Sequence, residues 1–454
     1  MGIPDKNFSI EIHNTDMEAW LSIYDSERIS LMAIRDDLTE MGIVYGIDEN
    51  TLKKIEDNNF PKGQYLIAKG LLQVNGEDSR VECLIDMTPP MVSTENVSSR
   101  YFHVRLTNVR KGQRLLRFTS ATEGTPGVNV FGQEVLPTEG KASPFPRGLN
   151  TAYDNEEEPM YLIAAKSGNF VYEKDQIRVE PEYKIVGDVS TVNGKLVEFY
   201  GDLIVQGDVR VGVTLKVDGN LTVTGIVEDA DIECGGSVDV KGGFRGSGIG
   251  KLFAYGTVTF FHGSNYTITS RASIKVSKIA MNCNLTAKYI DSPIASICGG
   301  KVIAFTYIEV LELGKEEYTK TTVELASKIT KMKLFAELDK EIEALSEKIK
   351  FCSEKVKHFK RLTANKQISR QQEEGIFSFQ HTLDALNEVW DKRVKERDKL
   401  REETNKMLPK IIVNGTVFDN VKLSIKDITL ENVAHMRKLT FYEKDQEIIN
   451  VRNP

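Results

Sequence analysis

The feature that most narrows what this chain can fold into is a repeat. Between residues 181 and 313 an apolar position returns as Leu203, Leu221, Val238, Val258, Ile274, Ile290 and Ile308, with gaps of 18, 17, 20, 16, 16 and 18 residues. In the earlier part of the repeat a glycine and a small polar residue precede an apolar one: Gly187-Asp188-Val189, Gly201-Asp202-Leu203, Gly207-Asp208-Val209, Gly219-Asn220-Leu221 and Gly256-Thr257-Val258. Later members keep the pattern without the glycine, as in Ala272-Ser273-Ile274-Lys275-Val276 and Thr306-Tyr307-Ile308-Glu309-Val310. A three-sided coil needs about six residues per side, each side a short strand whose side chains alternate inward and outward. Corners call for residues that turn at little steric cost, which Gly supplies, or that bond nearby backbone, as Asp and Asn do. Stacked coils bury an apolar column that no single coil can bury alone. The repeat therefore predicts a single-stranded parallel β-helix over residues 181–314. Its handedness is not readable from the spacing.

The flanking regions follow other rules. Residues 1–180 read as a mixed α and β domain. Helical spacing is expected over Thr15–Ser22, Ile29–Met41 and Glu49–Glu56, the last with Asp48 as N-cap. Ile29, Met32, Ala33, Leu38 and Met41 would form one buried stripe, and Trp20 would lie in a helical stripe as well. Strand-like runs cover Gln64–Ala68, Arg80–Ile85, Tyr101–Leu106 and Arg114–Phe118. Tight turns are expected at Lys111-Gly112-Gln113, Gly124-Thr125-Pro126-Gly127 and Phe131-Gly132-Gln133. Over 315–409 glycine nearly vanishes, and apolar positions recur at 342, 345, 349, 352, 356 and 359, then at 376, 379, 383, 386, 390 and 394. Gaps of three and four make a heptad seam on two helices. Residues 316–408 carry 20 Lys and Arg against 18 Asp and Glu, as solvated helix faces do. The expectation is an antiparallel coiled-coil hairpin inserted into the β-helix, an arm reaching about 60 Å at the helical rise. Pro409 ends it, and residues 410–454 return to strand patterns that would cap or complete the β-helix.

Candidate chemistry is sparse. Asp188, Asp202, Asp208, Asp218 and Asp239 could suggest the carboxylate row of a carbohydrate-active β-helix enzyme, but most follow glycine, where a corner role is favoured. Gly246-Ser247-Gly248-Ile249-Gly250-Lys251 resembles a phosphate loop. It has Arg245 for the first glycine, Leu252 after the lysine and no room for a helix. His262 is the only histidine among the coils, so an acyltransferase base has a single candidate. The five cysteines, Cys83, Cys234, Cys283, Cys298 and Cys352, form no C-x-x-C pair and are an odd number, as expected of free thiols in a reducing cytoplasm. The six histidines show no H-x-x-x-H spacing, so no metal is expected. A net charge of -7 gives no reason to expect nucleic acid. The opening residues lack the charged head and apolar stretch of a signal peptide and there is no run of 18 apolar residues, so neither export nor a membrane span is expected. No catalytic, cofactor-binding or metal residues are assigned, and no cofactor is expected.

The ordered parts resemble the flagellar assembly protein A family. The segments that carry the resemblance are Leu66-Ile67-Ala68-Lys69-Gly70, Asn75-Gly76-Glu77-Asp78, Val109 to Leu115, Gly124 to Gly132, the Gly-Asp repeats from Gly187, Asp229-Ala230-Asp231-Ile232, Val413 to Phe418 and Val421 to Ile425. The chain departs from the family pattern where Ala-Gly-Asp-type corners thin out after Gly256 and where only Cys298-Gly299-Gly300 precedes the helical region. The resemblance implies a right-handed β-helix and a non-catalytic cytoplasmic scaffold linked to flagellar assembly or placement. It implies protein partners and no catalytic residues. A homodimer through the coiled coil is one expected assembly. A polymerising element like bactofilins is the alternative function, with a carbohydrate-active enzyme behind it.

Overall fold

A computed structural model describes residues 7–25, 29–56, 62–87, 106–173, 176–191, 196–316, 320–363, 370–406, 408–431 and 435–453. The chain divides into two compact units. One comprises residues 1–84, 116–146 and 153–162, the other 85–115, 147–152 and 163–454.

The smaller unit is built on a three-stranded antiparallel sheet of Phe8–His13, Glu18–Ile23 and Gly63–Lys69. The helix expected over Thr15–Ser22 is a hairpin instead. Asn14, Thr15 and Asp16 all take positive φ, which reverses the chain and pairs His13 with Glu18. Ala19, Leu21 and Ile23 then alternate onto the buried face, so Trp20 lies in a strand. Helices α1 (Leu31–Glu40) and α2 (Glu49–Glu56) belong to the same core. The buried pair on α1 is Ile34 and Leu38, four residues apart. Met32 at 74% and Met41 at 37% exposure fall outside the expected stripe. Asp48 caps α2, its Oδ1 accepting the amides of Asn50 (3.0 Å) and Thr51 (3.3 Å). The segment from Gly124 to Gly127 is no tight turn, since Gly124–Thr125 and Gly127–Val128 pair as short strands with Val74–Asn75 and Glu134–Val135. Most of the strand expected over Tyr101–Leu106 lies outside the described residues.

The larger unit is a parallel β-solenoid. On one side Tyr183, Leu203, Leu221, Val238, Val258 and Ile274 stack in one register, and Ile308 continues it to Ile411. This is the column the repeat predicted. A second side stacks Leu196–Phe199, Thr214–Val217, Asp231–Cys234, Lys251–Ala254 and Thr267–Ser270. The third passes through Val189, Val209, Val227 and Phe244. The inward Val, Leu and Ile side chains of all three sides form one continuous buried core, each worth about 1.5–3 kcal/mol of apolar burial.

The solenoid does not stop where the glycines do. Thr321–Leu325 adds a further strand, pairing with Gly300–Ala304 on one side and with Val421–Ile425 on the other. Between those neighbours the chain leaves for two long helices, α3 (Lys328–Thr363) and α4 (Arg370–Lys406). They pack on each other in opposite directions. The Arg401 guanidinium sits over Phe335, Arg397 binds Asp339 at 3.2 Å, and Phe359 meets Phe379. The chain then returns in register, Tyr307 pairing with Lys410 and Ile308 with Ile411. Insertion of the helices therefore costs the solenoid no pairing.

The last coil ends in reversal. Ile428–Leu430 pairs antiparallel with Val421–Ile425, and Met436–Lys444 pairs antiparallel with Lys410–Val417. Glu447–Arg452 adds one more antiparallel strand.

Candidate functional site

Three acids of the solenoid's row, Asp188, Asp202 and Asp208, are spent on its own backbone, while Asp218 pairs with Arg110 and Asp239 with Lys241. Asp188 Oδ1 accepts the Asp208 amide (2.9 Å), Asp202 Oδ1 the Asn220 amide (2.7 Å) and Asp208 Oδ1 the Ile226 amide (2.8 Å). Asn220 Oδ1 accepts the Ser237 amide, and Ser237 Oγ accepts that of Thr257. Each corner side chain thus satisfies an N–H of the following coil, which a turning backbone would otherwise leave unpaired. Arg210 gathers three acids, Asp188 at 2.6 Å, Asp208 at 2.9 Å and Glu228 at 3.2 Å. Burial works to raise the Asp188 carboxyl, but the Asp208 amide and the Arg210 guanidinium hold it below the usual carboxylate range.

The glycine-rich run at 246–251 is a corner of the same kind. Asp229 accepts the amides of Ser247 and Gly250, while Gly250 packs on the ring of Tyr266. Lys251 begins the strand that follows, so no helix opens there to hold a phosphate. His262 lies half-buried in the strand Val258–Ser264. Cys234, Cys283, Cys298 and Cys352 are buried, and burial pushes the Cys234 and Cys283 thiols up to about 11. Such thiols pack as small hydrophobes and are poor nucleophiles.

The side chains that do converge outside the core lie where α3 and α4 rest on the solenoid. The expected arm does not project along its length. Arg271 of the solenoid binds Glu341 of α3 at 2.7 Å, and the Arg393 guanidinium of α4 stacks 3.3 Å from the Tyr255 ring centroid. Farther along α4, the Phe377 ring lies under the guanidinium of Arg114 at 3.7 Å, and the His381 ring nitrogen hydrogen-bonds the Lys111 carbonyl oxygen. Arg110, beside them, binds Asp218 at 2.7 Å and covers the Tyr200 ring at 3.8 Å. The helices therefore lie back along the coils.

Their seat is the corner column that begins as Gly219, Gly236 and Gly256 and continues as Ala272 and Lys288. Glycine gives way there to residues with reach: Tyr255, Arg271, Lys288 and Tyr289. The sequence reading missed this group. Its signal was present in the loss of glycine from one corner only where Arg, Lys and Tyr take over, which helical partners far along the chain, Glu341 and Arg393, make sense of. The seam positions expected on the helices, from Ile342 to Phe359 and from Ile376 to Val394, are all buried or half-buried. Trp390 lies on this seam. No described helix is long and apolar enough to cross a membrane. Among the described residues no group of His, Cys, Asp and Glu side chains could hold a metal ion.

Comparison with protein families gives two matches that together span nearly the whole chain. The Flagellar Assembly Protein A β-solenoid domain matches residues 181–448, and the Flagellar Assembly Protein A N-terminal region matches residues 8–175. Neither a search of curated proteins nor a search of solved structures found a match.

Proposed function

The chain belongs to the flagellar assembly protein A family, and on that premise we propose that it is a non-catalytic cytoplasmic scaffold in flagellar assembly or placement, working through protein partners. The observation that carries this reading is the commitment of the solenoid's acids. Asp188, Asp202 and Asp208 each hold an amide of the next coil, where a carbohydrate-active β-helix would turn such a row toward substrate. On this reading α3 and α4 form an antiparallel coiled coil whose seam is filled within one chain, and the coil has the right hand that the family resemblance implies. A partner would meet the outer, charged face of the helices. A second copy would join by that face as well, since the antiparallel reversal at the C-terminal end opposes extension of the coils there.

The test has two readouts. In a flagellated host lacking its own copy, chains carrying Asp188→Asn, Asp202→Asn or Asp208→Asn should restore flagella. A chain with residues 328–406 replaced by a short linker should not. Light scattering of the intact protein should give one mass across a range of concentrations. Failure of a well-folded Asp→Asn variant would replace the scaffold with an enzyme, and open-ended growth with concentration would replace it with a bactofilin-like filament.

A further inference from the structure

Between α4 and the corner column of the solenoid runs a cleft of about 610 Å³, within the size range of small-molecule sites. Six cationic side chains line it: Arg271 and Lys288 from the solenoid, and Lys392, Arg393, Lys395 and Lys399 from α4. Among the described residues one carboxylate, Glu396, lines it with them, and that carboxylate binds Arg393 at 2.8 Å. Glu341, the partner of Arg271, comes from α3. The described lining is thus mostly cationic on a protein whose formal net charge is -7.

Charge alone would describe many helix surfaces, so the second observation matters. Arg271 has only 6% of its side chain exposed, and just one of its nitrogens, Nη2, is bound to Glu341. Its Nε and Nη1 are buried and meet no acceptor among the described residues, the guanidinium lying 5.4 Å from the Phe253 ring centroid. Buried donors without acceptors are costly, and natural folds rarely keep such groups without a use. Arg271 also lines a smaller adjoining cavity that shares Lys288 and Leu400 with the first. Lys288 responds to the same surroundings. Burial first, and then the nearby Lys399, hold its ammonium below the ordinary lysine range.

We propose that this cleft binds a small phosphate-bearing anion of nucleotide size, seated on Arg271 and held between Lys288 and Lys399. A phosphoryl group offers several acceptors to a guanidinium and charge to the lysines. The ligand would bridge α4 and the solenoid and so tighten the seating of the helices. The proposal does not rest on the scaffold reading, since the cleft stands whatever the partners are.

The test is calorimetric titration of the full-length protein with pyrophosphate, ATP and adenosine at about 0.1 M salt. Pyrophosphate and ATP should bind at one site per chain and adenosine should not. ATP binding much tighter than pyrophosphate would identify a nucleotide, and equal binding the phosphate chain alone; both support the site. Arg271→Gln should weaken binding about tenfold or more. Because that change touches a buried ion pair, Lys399→Gln is the second variant, expected to weaken binding severalfold with the melting temperature kept. Lys357→Gln, on α3 away from the cleft, should leave binding unchanged. Absence of binding to either phosphate, or binding that Lys399→Gln and Lys357→Gln weaken equally, would overturn the proposal.

Discussion

The two halves of the solenoid solve the same corner problem by different means. From Gly201 to Gly256 the corners close by contact of backbone on backbone. A methyl group on Gly219 would lie 2.6 Å from the Gly201 carbonyl oxygen, and one on Gly236 would lie 2.7 Å from that of Gly219. Asp, Asn and Ser side chains then lace each coil to the next. From Ser273 to Leu313 the chain keeps its strand pairing with few breaks, and the same column carries Ala272 and Lys288. Where the chain does turn, Asn282, Gly299 and Gly300 take positive φ. The first half is tight and self-laced. The second has side chains at the corner and a pair of helices to cover them. Glycine is thus more than a requirement of turning here, because it marks the corners where one coil's backbone meets the next with no room for a side chain.

The largest expected effect is at the glycine column. Gly236→Val places carbon against the Gly219 carbonyl and should cost about 3 kcal/mol or abolish cooperative folding, as read by urea denaturation. The matched change in the second half, Ala272→Gly, should cost no more than about 1 kcal/mol. Equal effects would erase the distinction between the halves. Next comes the lacing. Asp202→Ala removes the acceptor of the Asn220 amide and side-chain amide and should cost about 1 kcal/mol. Ser273→Ala loses one hydroxyl contact to Thr257 and should fall well below that.

The smallest effect is that of mild acid. Asp188 and Asp229 are held below the usual carboxylate range in the folded chain, Asp229 because bonds from Ser247 and from the Gly250 and Ile249 amides outweigh its burial. A depressed folded value means stability that is complete above the unfolded value of about 3.9 and is lost as pH falls through the folded one. Hydrogen exchange between pH 5 and pH 3 should therefore loosen the amides of Asp208 and Gly250 before those of Val276 and Ile308. The reverse order would place the acid-sensitive laces in the wrong half.

Much of this was legible in the residues. The register from Leu203 to Ile308 could be read because an inward position recurs once per coil, and the structure stacks its described pairs as expected. The corner role of Asp188, Asp202 and Asp208 followed from their place after glycine. The hairpin at Asn14-Thr15-Asp16 was not legible, because it depends on three consecutive residues with positive φ, a conformation that Asn and Asp tolerate but do not announce. Met32 and Met41 misled because apolar spacing on a short helix fits more than one face, and the sheet beneath α1 selects Ile34 and Leu38. The strand Thr321–Leu325 stood next to a strongly helical run and took its neighbour's character in the reading. The seat of the helices was hidden because it joins Tyr255 to Arg393 and Arg271 to Glu341, pairs that no local pattern links.

The position of those helices changes how the solenoid would bear load. A bare stack of coils is a set of springs in series, in which the weakest neighbour contact sets the strength of the whole. Here the chain leaves the late coils at Leu325, touches the middle ones at Arg271 and Tyr255, and reaches Lys111 and Arg114, whose neighbour Arg110 grips Asp218 and Tyr200 among the first coils. That contact path runs in parallel with the stack, as a splint does. Tension along the solenoid would be shared between two members, and the helices would have to peel away before the coils could part.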